Sequence, residues 1–110
     1  MDVVFEKDWQ NALKKIQTVF GDNIDLQGAL FIIGVHELGK GKRRFSKDQK
    51  LDLLHIAVCR LLSDYGYFEF EGTDKDGWPH YKRNEKLPHL KPLEQEKLIK
   101  QAIVNYMDKL

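Results

Sequence analysis

The sequence predicts a mainly α-helical domain of the α+β class, with four helices and one β-hairpin between the third and fourth helices. Two observations lead to this prediction. Apolar residues recur at helical spacing in four segments, and one further segment alternates between apolar and polar residues on both sides of a turn. A chain of 110 residues has the length of one ordinary domain, so residues 1–110 are expected to form a single domain.

The first two helices are predicted over residues 5–20 and 26–38. Gly21 follows the first helix, at the place where a left-handed residue commonly ends a helix. Asp25 precedes the second helix and is its expected N-terminal cap. The second segment, LQGALFIIGVHEL, has almost no polar face, so we expect this helix to be buried or to face a partner. Its two glycines are expected at close helix crossings.

The third helix is predicted over residues 47–64, and Gly66 ends it. Ser46 and Gln49 have the spacing of a capping box at its start. This helix is also apolar over most of its circumference. The fourth helix begins at Pro92, which suits a first helical turn, and it carries one apolar stripe opposite a charged face.

The hairpin is predicted from an alternating strand over residues 67–71, a turn over residues 73–77 and a return strand over residues 78–83. Phe68 and Phe70 fall on the same face of the first strand. A lone hairpin is only marginally stable in water, so both phenylalanines are expected to pack on helices.

No catalytic residue, cofactor site or metal site is predicted. His36 and Glu37 begin like the helix of a zinc protease, but the position for the second histidine is Lys40. His55 and Cys59 share a helix face, whereas structural zinc needs four ligands. Cys59 lies among apolar residues in mid-helix, which is typical of an unreactive, packed cysteine.

The strongest local signal is a basic loop before the third helix. Residues 40–50 contain six basic residues and one acid, and the loop ends at a helix N-terminus, where free amides favour anions. Residues 64–76, in contrast, contain five acids and one lysine. Three interpretations stay open: the loop is solvated or is neutralised by the hairpin, a protein partner binds it, or a phosphate or nucleic acid binds it.

Composition gives no sign of export or membrane insertion. Eighteen basic and 17 acidic residues give a formal net charge of +1, which provides no global attraction for nucleic acids or acidic membranes. The segment MDVVFEKDWQ lacks the basic and apolar regions of a signal peptide. The longest uncharged run, residues 26–35, is much shorter than the roughly 20 residues of a membrane-spanning helix. We therefore expect a cytoplasmic protein with no membrane partner.

Three helices followed by a hairpin resemble the winged-helix family in topology, with residues 67–83 as the wing. A recognition helix of that family presents a polar face to the base edges. The polar residues of the third helix are interrupted by leucines and include Asp52 and Asp64, which phosphates repel. The resemblance is therefore one of topology.

The stretch FIIGVHELGKGKRRFSKDQKLDLLHIAVCRLLSDYGYFEFEG, with DGWPHYK after it, resembles a family of small uncharacterised bacterial proteins over residues 31–82. The resemblance implies a bacterial, cytosolic origin. It carries no functional residue over to this chain.

These observations favour a non-enzymatic protein-binding domain or subunit that forms a homodimer or part of a complex, because two strongly apolar helices exceed what one small core needs. The alternative is a winged-helix-like module that binds nucleic acid through the basic loop and the hairpin. The predicted contacts, for a protein or a phosphate-bearing partner alike, are Lys40, Lys42, Arg43, Arg44, Lys47, Trp78 and Tyr81. A further alternative is an enzyme assembled from distant residues such as His36, Glu37 and His80.

Overall fold

The computed structural model describes residues 3–39 and 44–109. Four helices and one antiparallel hairpin occur in the predicted order, which confirms the predicted fold class. In chain order the elements are α1 (Val3–Phe20), α2 (Leu26–Leu38), α3 (Lys47–Ser63), β1 (Phe68–Thr73), β2 (Pro79–Arg83) and α4 (Pro92–Asp108). None of the helices in these described residues is long and apolar enough to cross a membrane.

Short-range hydrogen bonds explain where the helices begin and end. The Gln49 amide donates to Ser46 Oγ at 3.2 Å, and the Ser46 amide donates to Gln49 Oε1 at 2.9 Å, which confirms the predicted capping box of α3. Asp25 Oδ1 accepts from the Gly28 amide at 2.9 Å and so caps α2 as expected. Gly66 follows α3 with a φ of +78°, a conformation that glycine adopts at little cost.

The chain divides into two compact units, one formed by Met1–Ala29 with His89–Leu110 and the other by Leu30–Pro88. The prediction that the whole chain is a single domain stays a prediction. The first unit contains α1 and α4. Lys97 Nζ lies 5.4 Å from the centre of the Phe5 ring, and Lys100 Nζ lies 5.4 Å from the centre of the Trp9 ring. Because both contacts advance in the same direction along the two helices, α1 and α4 run parallel.

The second unit has its core between α2, α3 and the hairpin. Leu38, Leu53 and Ile56 form the buried cluster, and five partly buried residues pack against it: Phe31, Val35, Phe45, Trp78 and Tyr81. Three of these rings form a chain of edge contacts, with centroids 6.1 Å apart for Phe31 and Phe45 and 6.3 Å apart for Phe45 and Trp78. The hairpin therefore packs on the helices through Trp78 and Tyr81.

A close crossing of α2 and α3 lies at Gly34. A Cβ atom at this position would overlap the carbonyl oxygen of Leu53, so only glycine fits there. The expected helix crossing is confirmed at Gly34. It is not confirmed at Gly28, whose nearest non-neighbouring atoms belong to Ile24 and Asp25, immediately before α2.

The hairpin turn combines two hydrogen bonds around Asp74. The Gly77 amide donates to the Asp74 carbonyl at 3.0 Å, and the Asp74 amide donates to the Trp78 carbonyl at 2.9 Å. Gly77 has a φ of +84°, as the position after such a turn requires. Further along, the pairing shifts between Phe70 and Gly72, which inserts a β-bulge into β1.

Phe70 is 59% exposed, so the prediction that it packs on the helices is wrong. The residue lies at the bulge and directly opposite Tyr81 in the register, and the centres of these two rings are 5.5 Å apart. Tyr81, on the return strand, reaches the buried cluster instead. Phe68 is half-buried.

The apolar residues of α2 are buried or half-buried. On α3, Leu51 is the only large apolar residue whose side chain is largely exposed, at 58%. The expectation that these two helices exceed what one small core needs stays a prediction. The other largely exposed apolar side chains of the described residues lie on α1, β1 and α4: Val3, Val4, Val19, Phe20, Phe70 and Leu93.

Candidate functional site

An open groove of about 380 Å³ lies within the second unit, between the C-terminal half of α3, the end of α2 and one face of the hairpin. We call it the hairpin groove. Its principal lining residues are Glu37, Leu38, Arg60, Phe70, Pro79 and Tyr81. The volume falls within the range of about 300–1,000 Å³ that is typical of ligand-binding pockets. The groove is large enough for one or two side chains of a partner.

One wall of the hairpin groove is charged. Arg60 Nε donates to Glu37 Oε1 at 3.2 Å, and Arg60 Nη1 donates to Asp64 Oδ1 at 3.0 Å. The side chains are 21–29% exposed, so solvent only partly screens their charges. Arg60 and Asp64 are one helical turn apart on the chain, whereas the pair with Glu37 joins α3 to α2.

The opposite wall is aromatic and is formed by Phe70 and Tyr81, with Pro79 beside them. Burial raises the pKa of the Tyr81 hydroxyl, the nearby Glu37 carboxylate raises it further, and Arg60 acts in the opposite direction. The Tyr81 side chain is therefore a neutral phenol at neutral pH and remains able to donate a hydrogen bond. The groove thus combines an apolar surface with a donor and with charged groups.

A second cleft of about 280 Å³ lies on α3 and the hairpin turn. It is lined by Asp52, His55, Ile56, Asp74, Trp78, Pro79 and His80. Although two histidines and two aspartates line it, no group of three or more metal-ligating side chains occurs among residues 3–39 and 44–109 in an arrangement that would hold an ion. The described residues of the cleft therefore include carboxylate and imidazole groups, but these groups do not form a metal-binding site.

The Asp74 carboxylate makes its hydrogen bonds within the hairpin turn. Its carboxylate accepts from the amides of Asp76 and Trp78 at 2.9 and 3.0 Å, and the His80 ring nitrogen lies 2.9 Å from its second oxygen. The hydrogen bond from His80, followed by those from the backbone, lowers the pKa of Asp74 below its ordinary value. This carboxylate stabilises the turn in its ionised form.

Cys59 and His55 lie one turn apart on α3, with Sγ 3.5 Å from the ring nitrogen Nε2. Burial raises the pKa of the Cys59 thiol to about 11. The thiol is therefore protonated at neutral pH, and a thiolate nucleophile is not available at this position.

The predicted contact residues are placed as follows. Lys40, Lys42 and Arg43 lie outside the described residues, while Arg44 and Lys47 are exposed at the start of α3. Neutralisation of the basic loop by the hairpin stays a prediction.

Trp78 and Tyr81 are brought together on the hairpin, where both are half-buried against the core of the second unit. Of the predicted contact residues that the structure describes, only Tyr81 lines the hairpin groove.

Sequence reasoning did not find Arg60 or Phe70 as site residues, and it named Glu37 only in the enzyme alternative with His36 and His80. The spacing of Arg60 and Asp64 is a readable signal for an ion pair on a helix. The pairing of Glu37 with Arg60 has no such signal, because it depends on how α2 and α3 pack.

No protein-family model matches the chain, and comparisons with curated proteins and with solved structures gave no match. The resemblances to the uncharacterised bacterial family and to the winged-helix family stay predictions.

Proposed function

We propose that this protein is a protein-binding domain that holds a segment of a partner protein in the hairpin groove. The observation that carries the proposal is the 59% exposure of Phe70, beside Tyr81 and on the opposite wall from Arg60. Tyrosine and arginine are the residue types, with tryptophan, that supply most of the binding energy at protein interfaces. A large aromatic ring at the edge of a groove gains free energy when a partner covers it.

The size of that gain follows from the exposed area. Full burial of a phenylalanine side chain contributes roughly 1.5–3 kcal/mol, so covering a ring that is 59% exposed contributes about 1–2 kcal/mol. A gain of about 1.4 kcal/mol corresponds to a tenfold change in affinity. Phe70 is therefore expected to act as an anchor for a partner side chain.

The hairpin is a less suitable surface for nucleic acid. Trp78 contacts Phe45 and the buried cluster, so its ring is partly used in packing and less available to stack on bases. The charged wall includes two carboxylates, which repel phosphate groups. The nucleic-acid alternative depends on the basic loop, and it is tested by fluorescence anisotropy with mixed DNA and RNA at low salt.

The proposed function is tested by selecting peptides from a random display library on the immobilised protein and measuring their affinity for two variants. Phe70→Ala removes the anchor and is expected to weaken binding about tenfold. Phe20→Ala is the matched control, because Phe20 is also 59% exposed but lies on α1. The proposal fails when no peptide is enriched above background, or when Phe70→Ala binds the selected peptides as tightly as the wild type.

A further inference from the structure

We propose that the partner segment binds as an extended strand, which pairs with the free edge of β1 and extends the hairpin to three strands; this inference rests on the proposed function. The segment belongs to a different protein, and it places an apolar side chain beside Phe70. The reasons are the hydrogen-bonding pattern of the hairpin, the exposure of β1 and the charges along its edge.

The hydrogen-bonding pattern of the hairpin follows from the bond at its open end. The Asn84 amide donates to the Tyr67 carbonyl at 2.9 Å, immediately before β1. In an antiparallel pair, hydrogen-bonded residue pairs alternate with pairs that are not hydrogen-bonded. Glu69 therefore bonds to β2, whereas Phe68 and Phe70 direct their amide and carbonyl groups away from β2.

The bond at the turn gives the same alternation beyond the β-bulge. Because the Asp74 amide bonds to the Trp78 carbonyl, the next pair along the hairpin is not hydrogen-bonded. That pair is Thr73 with Pro79, and a proline suits the position because it has no amide hydrogen to donate. Pro79 also removes a donor from the free edge of β2, where Tyr81 is half-buried. The edge of β1 is therefore the more complete one.

The outward groups of β1 have no partner strand. In the part of the chain that the structure describes, the sheet consists of β1 and β2, and no backbone hydrogen bond outside these strands involves Phe68 or Phe70. Phe70 and its neighbours Glu69 and Glu71 are exposed. Unpaired amide and carbonyl groups on every second residue match the backbone of an extended peptide, and strand addition at such an edge is a recurring form of peptide recognition.

An added strand would also cover the aromatic wall of the hairpin groove. Four of the lining residues occupy positions of the hairpin that are not hydrogen-bonded, and so lie on one face: Phe70, Thr73, Pro79 and Tyr81. A partner residue opposite Phe70 directs its side chain to the same face and can pack on the ring. We expect this side chain to be apolar, because it removes the exposed ring from water.

A second copy of the chain is poorly suited to this edge. When two β1 strands pair antiparallel about Phe70, Glu69 of each copy lies opposite Glu71 of the other. When they pair about Glu69, the two Glu69 side chains lie opposite each other. Like charges directly opposite each other destabilise a sheet, and charged residues commonly protect edge strands from pairing with themselves. The edge therefore favours a strand from a different protein.

N-methylation of the peptide tests the backbone pairing directly. The probe is the tightest-binding peptide selected from the display library on the full-length protein, synthesised with one N-methyl group at each central position in turn. The methyl group removes a donor and leaves the side chain unchanged. We expect binding to weaken about tenfold at two positions that are two residues apart, and less than about twofold at the position between them. Losses without this alternation, or no loss at any position, overturn strand addition.

Amide exchange of the ¹⁵N-labelled protein locates the pairing. In the free protein the amides of Phe68 and Phe70 should exchange rapidly, while the Glu69 amide, which bonds to β2, is protected and is the matched control. A saturating amount of peptide should slow exchange at Phe68 and Phe70 about tenfold or more. Unchanged exchange at both residues shows that side chains alone hold the peptide, and it overturns strand addition.

Two variants of Phe68 isolate one outward donor. Phe68→Ala removes the side chain and keeps the amide, whereas Phe68→Pro removes the amide as well, at a position where proline costs no bond to β2. We expect the proline variant to bind the peptide about fivefold more weakly than the alanine variant. Equal affinities count against the pairing. If circular dichroism shows that the proline variant is unfolded, the N-methyl series and the exchange measurement decide.

The outcomes separate the inference from the proposed function. Peptides that bind the wild type about tenfold more tightly than Phe70→Ala, without alternation and without protection of β1, overturn strand addition and leave the protein-binding function standing. If no peptide is enriched, the function and the inference fail together. Protection of Phe68 and Phe70 that grows with protein concentration alone shows that a second copy pairs with β1, and it overturns the choice of a different protein.

Discussion

Replacing Gly34 by alanine tests the packing of α2 on α3 directly. The added Cβ atom would overlap the carbonyl oxygen of Leu53 and would lie 2.9 Å from its carbonyl carbon and 3.1 Å from its Cβ. The first two of these are backbone atoms of α3, which cannot rotate away as the end of a side chain can. The helices must therefore move apart to accept the methyl group.

The expected cost follows from two opposing contributions. Overpacking of a close contact costs typically about 1–3 kcal/mol, while alanine gains about 1 kcal/mol over glycine in helix propensity. Because backbone blocks the methyl group, we expect the upper part of that range and a net loss of about 1–2 kcal/mol in the free energy of unfolding. In a domain of this size that loss lowers the Tm by roughly 5 °C or more.

Gly28→Ala is the matched control within the same helix. Its Cβ would lie 3.1 Å from Ile24 Cγ2 and 3.4 Å from Asp25 Oδ1, so these side-chain atoms need to shift by only a few tenths of an ångström, and no backbone atom blocks the methyl group. This variant should be as stable as the wild type, or more stable by up to about 1 kcal/mol. Urea unfolding followed by circular dichroism measures both variants. A Gly34→Ala protein as stable as Gly28→Ala would refute the close crossing of α2 and α3.

Three further predictions concern single side chains. Ser46→Ala removes one half of the capping box and should lower the free energy of unfolding by about 1 kcal/mol, measured by urea unfolding; an unchanged midpoint would contradict the cap. Because its hydrogen bonds lower the pKa of Asp74, the ionised form stabilises the folded state above the ordinary pKa of 3.8, and this stabilisation disappears as the pH falls through the lowered value. NMR titration should give a pKa below 3.8 for Asp74, whereas Asp74→Asn should show a smaller loss of stability in acid; a pKa at or above 3.8 would contradict the turn geometry. The Cys59 thiol, with a pKa of about 11, should react with a disulfide reagent at pH 8 far more slowly in the folded than in the unfolded protein, and equal rates would contradict its burial.

Local signals account for the parts of the fold that the sequence predicted well. Helical periodicity and caps such as Ser46 with Gln49 act within one or two turns, so the bounds of α2 and the start of α3 agree with the prediction. The residues Asp74 and Gly77 likewise placed the hairpin turn correctly. These features depend on neighbours along the chain and can be read without knowing the packing.

Tertiary packing accounts for the parts that the sequence did not predict. Phe70 is exposed because it lies at a β-bulge and because Tyr81, on the other strand, packs against the core. The alternation of apolar and polar residues along one strand predicts neither of these features. The contact between Glu37 and Arg60 likewise requires α2 and α3 to be packed. The charged and aromatic walls of the hairpin groove therefore become visible only in three dimensions.

The parallel arrangement of α1 and α4 has a consequence for the order in which the protein folds. The two helices come from segments that are separated along the chain by the whole of Leu30–Pro88. During synthesis on the ribosome, α1 emerges long before α4, whereas α3 and the hairpin are complete once Pro88 has emerged. Formation of the second unit shortens the effective loop between Phe20 and Pro92 and so lowers the entropy cost of pairing α1 with α4. The segment that bears the hairpin groove is therefore expected to fold first, and Trp9 and Ile16 become buried last.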